Sequence, residues 1–195
     1  FVENGEDTPP SIHALQDQAR LVMKEREKES LNQCVFFNTS VAEKKQWERD
    51  LDKWFEQSIE REEFQLYLQP KVSLSQKKVV GGEALVRWNH PEKGIVSPAK
   101  FIPILEASGK IRKLDRYVFE KTCQWLDKRK REGKELFPIS VNLSRNHFLY
   151  SNFVEVYADM AKKYQVDKSL IEFELTESIF LDASAMEKVK KGLRK

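Results

Sequence analysis

Residues 81–88, GGEALVRW, decide how this chain is read. The segment has the composition of a buried strand, with Ala84, Leu85, Val86 and Trp88, yet it carries Glu83 and, four residues on, Arg87. Successive side chains of a strand point to opposite faces. Glu83, Leu85 and Arg87 therefore share one face, and Ala84, Val86 and Trp88 the other. A carboxylate and a guanidinium inside an apolar strand need a chemical reason.

Two further segments repeat the pattern. In FPISVNLS (137–144), Phe137, Ile139, Val141 and Leu143 alternate with Pro138, Ser140, Asn142 and Ser144. In IEFELTES (171–178), Ile171, Phe173 and Leu175 alternate with Glu172, Glu174 and Thr176. Glu83, Asn142 and Glu174 thus fall on the polar side of a strand near its C-terminal end, where parallel α/β folds build their sites. Two carboxylates and an amide carbonyl make an all-oxygen set that suits Mg²⁺ or Mn²⁺ better than zinc. The alternative is a strand-end polar residue satisfied by a neighbouring helix N-terminus, and the residue pattern leaves both open.

Outward from these strands, FQLYLQPKVSL (64–74) and KKVVGGEALVRW (77–88) read as strands about a polar turn. NHPEKGIVSP (89–98) reads as a loop punctuated by Pro91, Gly94 and Pro98. AKFIPILEASG (99–109) and KLDRYVFEKTCQWLDKRKREG (113–133) read as helices, the second ending at Gly133. NFVEVYADMAKKYQ (152–165) is a helix with Phe153, Val156, Tyr157, Met160, Ala161 and Tyr164 on one face, and SAMEKVKKGLRK (184–195) begins another. Strands alternating with helices indicate parallel βαβ units.

Before residue 64 the chain reads as helical. SIHALQDQARLVMKEREK (11–28) sets Ile12, Leu15, Ala19, Val22 and Met23 along one stripe, and a short extended piece, CVFFN (34–38), follows. The next helix has Ser40 as its expected N-cap and Glu43 completing a capping box. Trp47, Leu51, Trp54, Phe55 and Ile59 then fall at helical spacing as an apolar face.

Composition narrows the function classes. The 195 residues suit one domain or one and a fraction, and 40% hydrophobic content supports a core. With 34 Lys+Arg against 31 Asp+Glu, the net charge of +3 is too small to argue for DNA or RNA. The basic runs KRKREGK (128–134) and KVKKGLRK (188–195) sit at expected helix C-termini, where cations complement the helix dipole. Cys34 and Cys123 are isolated, which points to a reducing, cytoplasmic compartment. No long apolar run or signal peptide is read. The opening FVENGEDTPP, without an initiator methionine, reads as part of something longer. There is no GxGxxG, P-loop, GxSxG or HExxH; His13, His90 and His147 read as loop or cap residues, and Cys123 lacks a nearby His to make it a nucleophile.

At these same residues the chain resembles the EAL family, bacterial phosphodiesterases that hydrolyse cyclic di-GMP. LYLQPKV is similar to the family's first strand, GGEALVRWNHPEKGIVSPAKFIPILEASGKI contains the EAL triplet at 83–85 with the Arg-Trp after it, and ISVNLS and FELTES are similar to the next two signature strands. The resemblance covers Phe64 to about Phe180. It implies a modified (β/α)₈ barrel, an α/β fold. It further implies that Glu83, Asn142 and Glu174 are metal ligands, with Glu83 catalytic. Glu177 would steady a loop beside the metals, and Gln69 and Arg87 would contact substrate, Arg87 through a charge-assisted bond to phosphate. A pair of Mg²⁺ or Mn²⁺ ions would activate water against the phosphodiester, and the product would be linear pGpG.

A barrel of this class needs about 250 residues, and 64–195 supply roughly half of that. The expectation is a half-barrel preceded by a helical connector, inactive alone, with the family's paired aspartates and later lysine, glutamate and glutamine beyond residue 195. Its open strand edge would favour pairing, and a homodimer is expected of the complete protein. Residues 1–40 resemble the C-terminal end of a GGDEF domain, HALQDQARLVMKEREK its last helix and CVFFN its last strand, leaving 41–63 as connector. Two other readings stay open: a catalytically silent cyclic di-GMP sensor, and a scaffold that binds no nucleotide.

Overall fold

The computed structural model describes residues 11–24, 39–150 and 152–175. The chain divides into two compact units, Phe1–Glu56 and Gln57–Lys195. Cys34, CVFFN, Glu177 and the expected helix at 184–195 lie outside the described residues.

In the first unit, α1 spans Ile12–Lys24, inside the expected helix. Its Ile12 and Leu15 are exposed, so at these two positions the apolar stripe is not covered. Helix α2 spans Thr39–Glu60, so its last turn, from Gln57, belongs to the second unit. It begins at Thr39, so Ser40 lies within its first turn rather than capping it. Trp47 and Trp54, two turns apart on the expected face, meet edge to face at 6.1 Å.

The second unit is built on one five-stranded sheet: β1 (Phe64–Ser73), β2 (Lys78–His90), β3 (Gly94–Val96), β4 (Ile139–Leu143) and β5 (Ile171–Leu175). The main order is β1-β2-β4-β5, with β3 paired to the end of β2. The β2–β4 and β4–β5 pairs are parallel, as the alternation of strands and helices predicts. β1 runs antiparallel to β2. Only residues 74–77 join them, and a parallel crossover needs a dozen or more. The stretch read as a loop at 89–98 is also partly strand. β2 continues to His90, and Gly94–Val96 folds back antiparallel on Trp88–His90. Gly94 supports the turn at φ +66°, a conformation that favours glycine.

Helices α3 (Ile102–Ser108), α4 (Ile111–Arg131) and α5 (Phe153–Lys163) belong to this unit. α4 buries Leu114, Val118, Phe119, Thr122, Cys123 and Leu126. It stops where Gly133 adopts φ +65°, with Lys128 to Arg131 in its last turn, as the charge pattern predicts. The apolar strand face supplies Ala84, Trp88, Ile139, Val141 and Leu143 to the core, all buried. Phe64 stacks on Trp88 at 5.2 Å, and Phe101 meets both edge to face. A second cluster joins Phe119, Tyr157 and Phe173 within 5.6 Å. Burying a ring such as Phe64, Phe101 or Phe119 contributes about 1.5–3 kcal/mol, so the apolar face secures the sheet and frees the other face for polar groups. Among the described residues no helix is long and apolar enough to cross a membrane.

Candidate active site on the polar sheet face

Register decides which side chains share the open face. Gln69 of β1 stands opposite Glu83 of β2, and Glu83 opposite Ser140 of β4. Asn142, two residues on from Ser140, stands opposite Glu174 of β5. Because the side-chain period is two, Gln69, Lys71, Glu83, Arg87, Ser140, Asn142, Glu172 and Glu174 all lie on one face. The carboxylates at 83 and 174 are therefore on the same side of the sheet, separated by the strand that carries Asn142.

Two groups of contacts organise them. Asn142 Nδ2 donates to Glu83 Oε1 at 3.0 Å. That bond turns the Asn142 carbonyl oxygen, the better cation ligand, away from the bonded carboxylate oxygen. The second group centres on Lys71, whose Nζ donates to Glu174 Oε1 at 2.9 Å and to Ser140 Oγ at 2.8 Å, with Glu172 Oε2 at 3.9 Å. The Ser140 hydroxyl and the Lys71 ammonium hold the Glu174 carboxyl below its ordinary range. The hydrogen bond to Glu174 in turn raises the Lys71 ammonium. These groups are partly exposed, so solvent screens much of this coupling.

The three expected ligands thus share a face, Glu83 bonded to Asn142 and Glu174 bonded to Lys71. Among the described residues no group of three or more His, Cys, Asp or Glu side chains could hold a metal ion. The oxygen-only chemistry of Glu83, Asn142 and Glu174 nevertheless fits a hard divalent cation. A positive charge, the Lys71 ammonium, already sits on Glu174.

Arg87 stands four residues above Glu83, opposite Gln65. Its guanidinium donates to the Val86 carbonyl at 2.9 Å and lies 5.9 Å from the Tyr67 ring centre. It pairs with no carboxylate among the described residues, which leaves donors for an anion. A cavity of about 130 Å³ between β2 and helices α3 and α4 is lined by Ala84, Val86, Ile102, Ile111, Leu114 and Val118, with Arg87 and Asn142 also on its wall.

The backbone explains the two glycines of GGEALVRW. The Gly82 N–H donates to the Pro138 carbonyl at 2.9 Å, which starts the β2–β4 pairing. A Cβ on Gly81 would lie 3.1 Å from that carbonyl oxygen, and one on Gly82 would lie 3.0 Å from Ile139 Cδ1. Glycine in a strand here marks close approach of a neighbouring chain. It also leaves space above Gly81 for the Lys71 stem, which lies 3.7 Å from where a Cβ would stand.

Lys71 and Ser140 are the members that motif reading passed over. Their parity with Gln69 and Asn142 puts them on the polar face, and that signal was present in the sequence. His147 is also more than a loop or cap residue: it is buried, its Nε2 3.0 Å from Asp115 Oδ2 and 3.1 Å from the Tyr157 hydroxyl. Asp115 also accepts the Ser144 N–H at 3.0 Å, which fixes the chain as it leaves β4 just past Asn142. His90 does act as a turn cap, its Nδ1 accepting from the Glu92 N–H at 3.1 Å. Cys123 is fully buried, and desolvation pushes its thiol up to about 12, as befits a packing residue.

Comparison with known proteins places the chain by sequence and fold. The sequence profile of the EAL domain matches residues 52–195. The bifunctional diguanylate cyclase/cyclic di-GMP phosphodiesterase MucR of Pseudomonas aeruginosa is 30% identical over 89% of this chain, and cyclic di-GMP phosphodiesterase PA2567 of the same organism is 38% identical over 67%. The chain spans 25% and 22% of the length of these two curated relatives. Among solved structures, PaMucR phosphodiesterase in complex with c-di-GMP superposes with a TM-score of 0.64 at 28% identity, covering 74% of this chain and 57% of that one. The EAL enzyme Bd1971 with cAMP and cyclic di-GMP bound gives 0.69 at 28% identity, covering 96% and 50%.

Proposed function

The chain belongs to the EAL-domain family, and on that premise we propose that the domain it contributes to is a cyclic di-GMP phosphodiesterase, yielding linear pGpG with Mg²⁺ or Mn²⁺. The observation that carries this reading is the hydrogen-bonded Glu83–Asn142 pair, with Glu174 on the next strand of the same face. A divalent cation held by Glu83, Asn142 and Glu174, one of a pair in the complete domain, would polarise a phosphoryl oxygen and lower the pKa of bound water.

The remaining roles belong to the chain itself. Arg87 holds the phosphodiester by charge-assisted hydrogen bonds, which fixes the scissile group over the carboxylate tier below. Gln69, opposite Glu83, orients substrate with its neutral amide and adds no charge that would repel phosphate. Asn142 keeps the Glu83 carboxylate turned toward its neighbour, so less ordering is left to be done on binding. Glu177 steadies a loop beside the metal site.

The same reading takes residues 1–40 as the end of a GGDEF domain, 41–63 as the connector and 64–195 as the first part of the EAL barrel. The named bifunctional MucR, which aligns with 89% of this chain, supports a GGDEF neighbour in cis. A homodimer and a cytoplasmic location complete the proposal.

The test is Glu83→Gln in protein carrying the whole domain. Hydrolysis of cyclic di-GMP, followed by chromatography of pGpG, should be abolished while the thermal unfolding transition stays in place. Hydrolysis at the unmodified rate would show that Glu83 only completes the strand.

A further inference from the structure

Among the described residues of the polar face, Lys71 and Glu172 are the charged side chains that the proposed reaction leaves without a task. Lys71 comes from β1 at the level of Gly81, toward the end of the sheet opposite the β2 C-terminus. A bulge adjoins it, since the register slips by one residue between Lys71 and Val72. From there its stem crosses the gap left by Gly81 and delivers Nζ to Ser140 on β4 and Glu174 on β5. No shorter side chain at that position reaches across two strands. Glu172 and Glu174 are two like charges on the same face of one strand, and the ammonium lies within 3.9 Å of both.

Resting on the metal-site reading above, we propose that Lys71 is a positioning residue, an internal counter-charge that holds Glu174 in place without metal and sets how tightly the site takes a divalent cation. The physical logic is competition at one oxygen. Glu174 Oε1 already accepts an ammonium, so an ion held by that carboxylate would have to share it with Lys71 or displace Lys71. A fixed positive charge a few ångströms from a doubly charged ion weakens its binding by at least roughly ten-fold even with strong solvent screening. In exchange, the ammonium keeps Glu172 and Glu174 from repelling each other while the site is empty.

The experiment measures Mn²⁺ affinity by the loss of the free-ion paramagnetic resonance signal, at fixed neutral pH, in protein carrying the whole domain. Lys71→Met keeps the stem and removes the charge, and Lys71→Arg keeps the charge. The expected result is at least a ten-fold tighter Mn²⁺ dissociation constant for Lys71→Met, with Lys71→Arg close to the unmodified protein. Lys71→Met should also melt lower in chelator and recover on adding Mn²⁺, a pairing that simple loss of packing would not produce. Unchanged or weaker Mn²⁺ binding by Lys71→Met, when the unmodified protein binds the ion, overturns the role of Lys71 alone. Failure of the unmodified protein to bind Mn²⁺, or binding that survives Glu83→Gln combined with Glu174→Gln, overturns the metal site and this inference with it.

Discussion

Gln69 stands directly opposite Glu83 across the antiparallel β1–β2 ladder. An acceptor-only carboxylate therefore has as its cross-strand neighbour a neutral amide that both donates and accepts. Gln69 is exposed on the open face and bears no load in the core.

That placement separates binding from folding. Gln69→Ala should weaken cyclic di-GMP binding by roughly five-fold, the loss of about one neutral hydrogen bond. The urea midpoint should not move. Calorimetric titration of the complete domain checks the first and fluorescence the second; a large stability loss with intact affinity would remove Gln69 from the binding surface.

The two glycines ahead of Glu83 make different demands. A methyl group on Gly81 meets a backbone oxygen, that of Pro138, which cannot turn aside. One on Gly82 meets the terminal methyl of Ile139. Each alanine variant should cost about 1–3 kcal/mol by overpacking. Adding Ile139→Val should relieve Gly82→Ala and leave Gly81→Ala unrelieved. Denaturant curves for the two double variants decide it, and strictly additive losses in both would mean the strand shifts instead.

Cys123 gives a prediction in pH. Burial raises its thiol from 9.0 to about 12, so the folded state keeps a proton that the unfolded state releases first. Its contribution to stability is complete below pH 9 and falls as the pH rises from there toward 12. In a Cys34→Ser background, thiol labelling at pH 8 should be negligible in buffer and should follow unfolding as urea is added. Prompt labelling without urea would show that α4 opens locally.

The parts of the site that were legible in the sequence are those that depend on parity. Glu83, Asn142 and Glu174 alternate with apolar neighbours, and strand period alone puts them on a common face. The network around Lys71 was not legible, because its reach depends on a bulge and on register set by tertiary pairing. The buried His147 escaped for a similar reason: its partners Asp115 and Tyr157 come from other helices, at distances along the chain that local pattern does not bridge. The β3 hairpin is three residues long, too short to show alternation against the Gly and Pro around it. The expected cap at Ser40 failed by a residue or two, the usual uncertainty of a helix end.

The reversed direction of β1 has a further effect. In an all-parallel unit the chain would enter the sheet at the end remote from the chemistry, and the length of the incoming segment would matter little. Here Phe64 enters beside Trp88, at the edge where the parallel strands finish, and the Glu63 carbonyl is already bonded to the Asn89 N–H. Only Arg61 to Glu63 separate the end of α2 from that doorway. Inserting or deleting one residue there would leave the β1–β2 register to its own ladder and instead change how the end of α2 is joined to Phe64. This short threshold thus sets where the preceding helix ends relative to the mouth of the sheet along the chain, although none of its residues belongs to a strand.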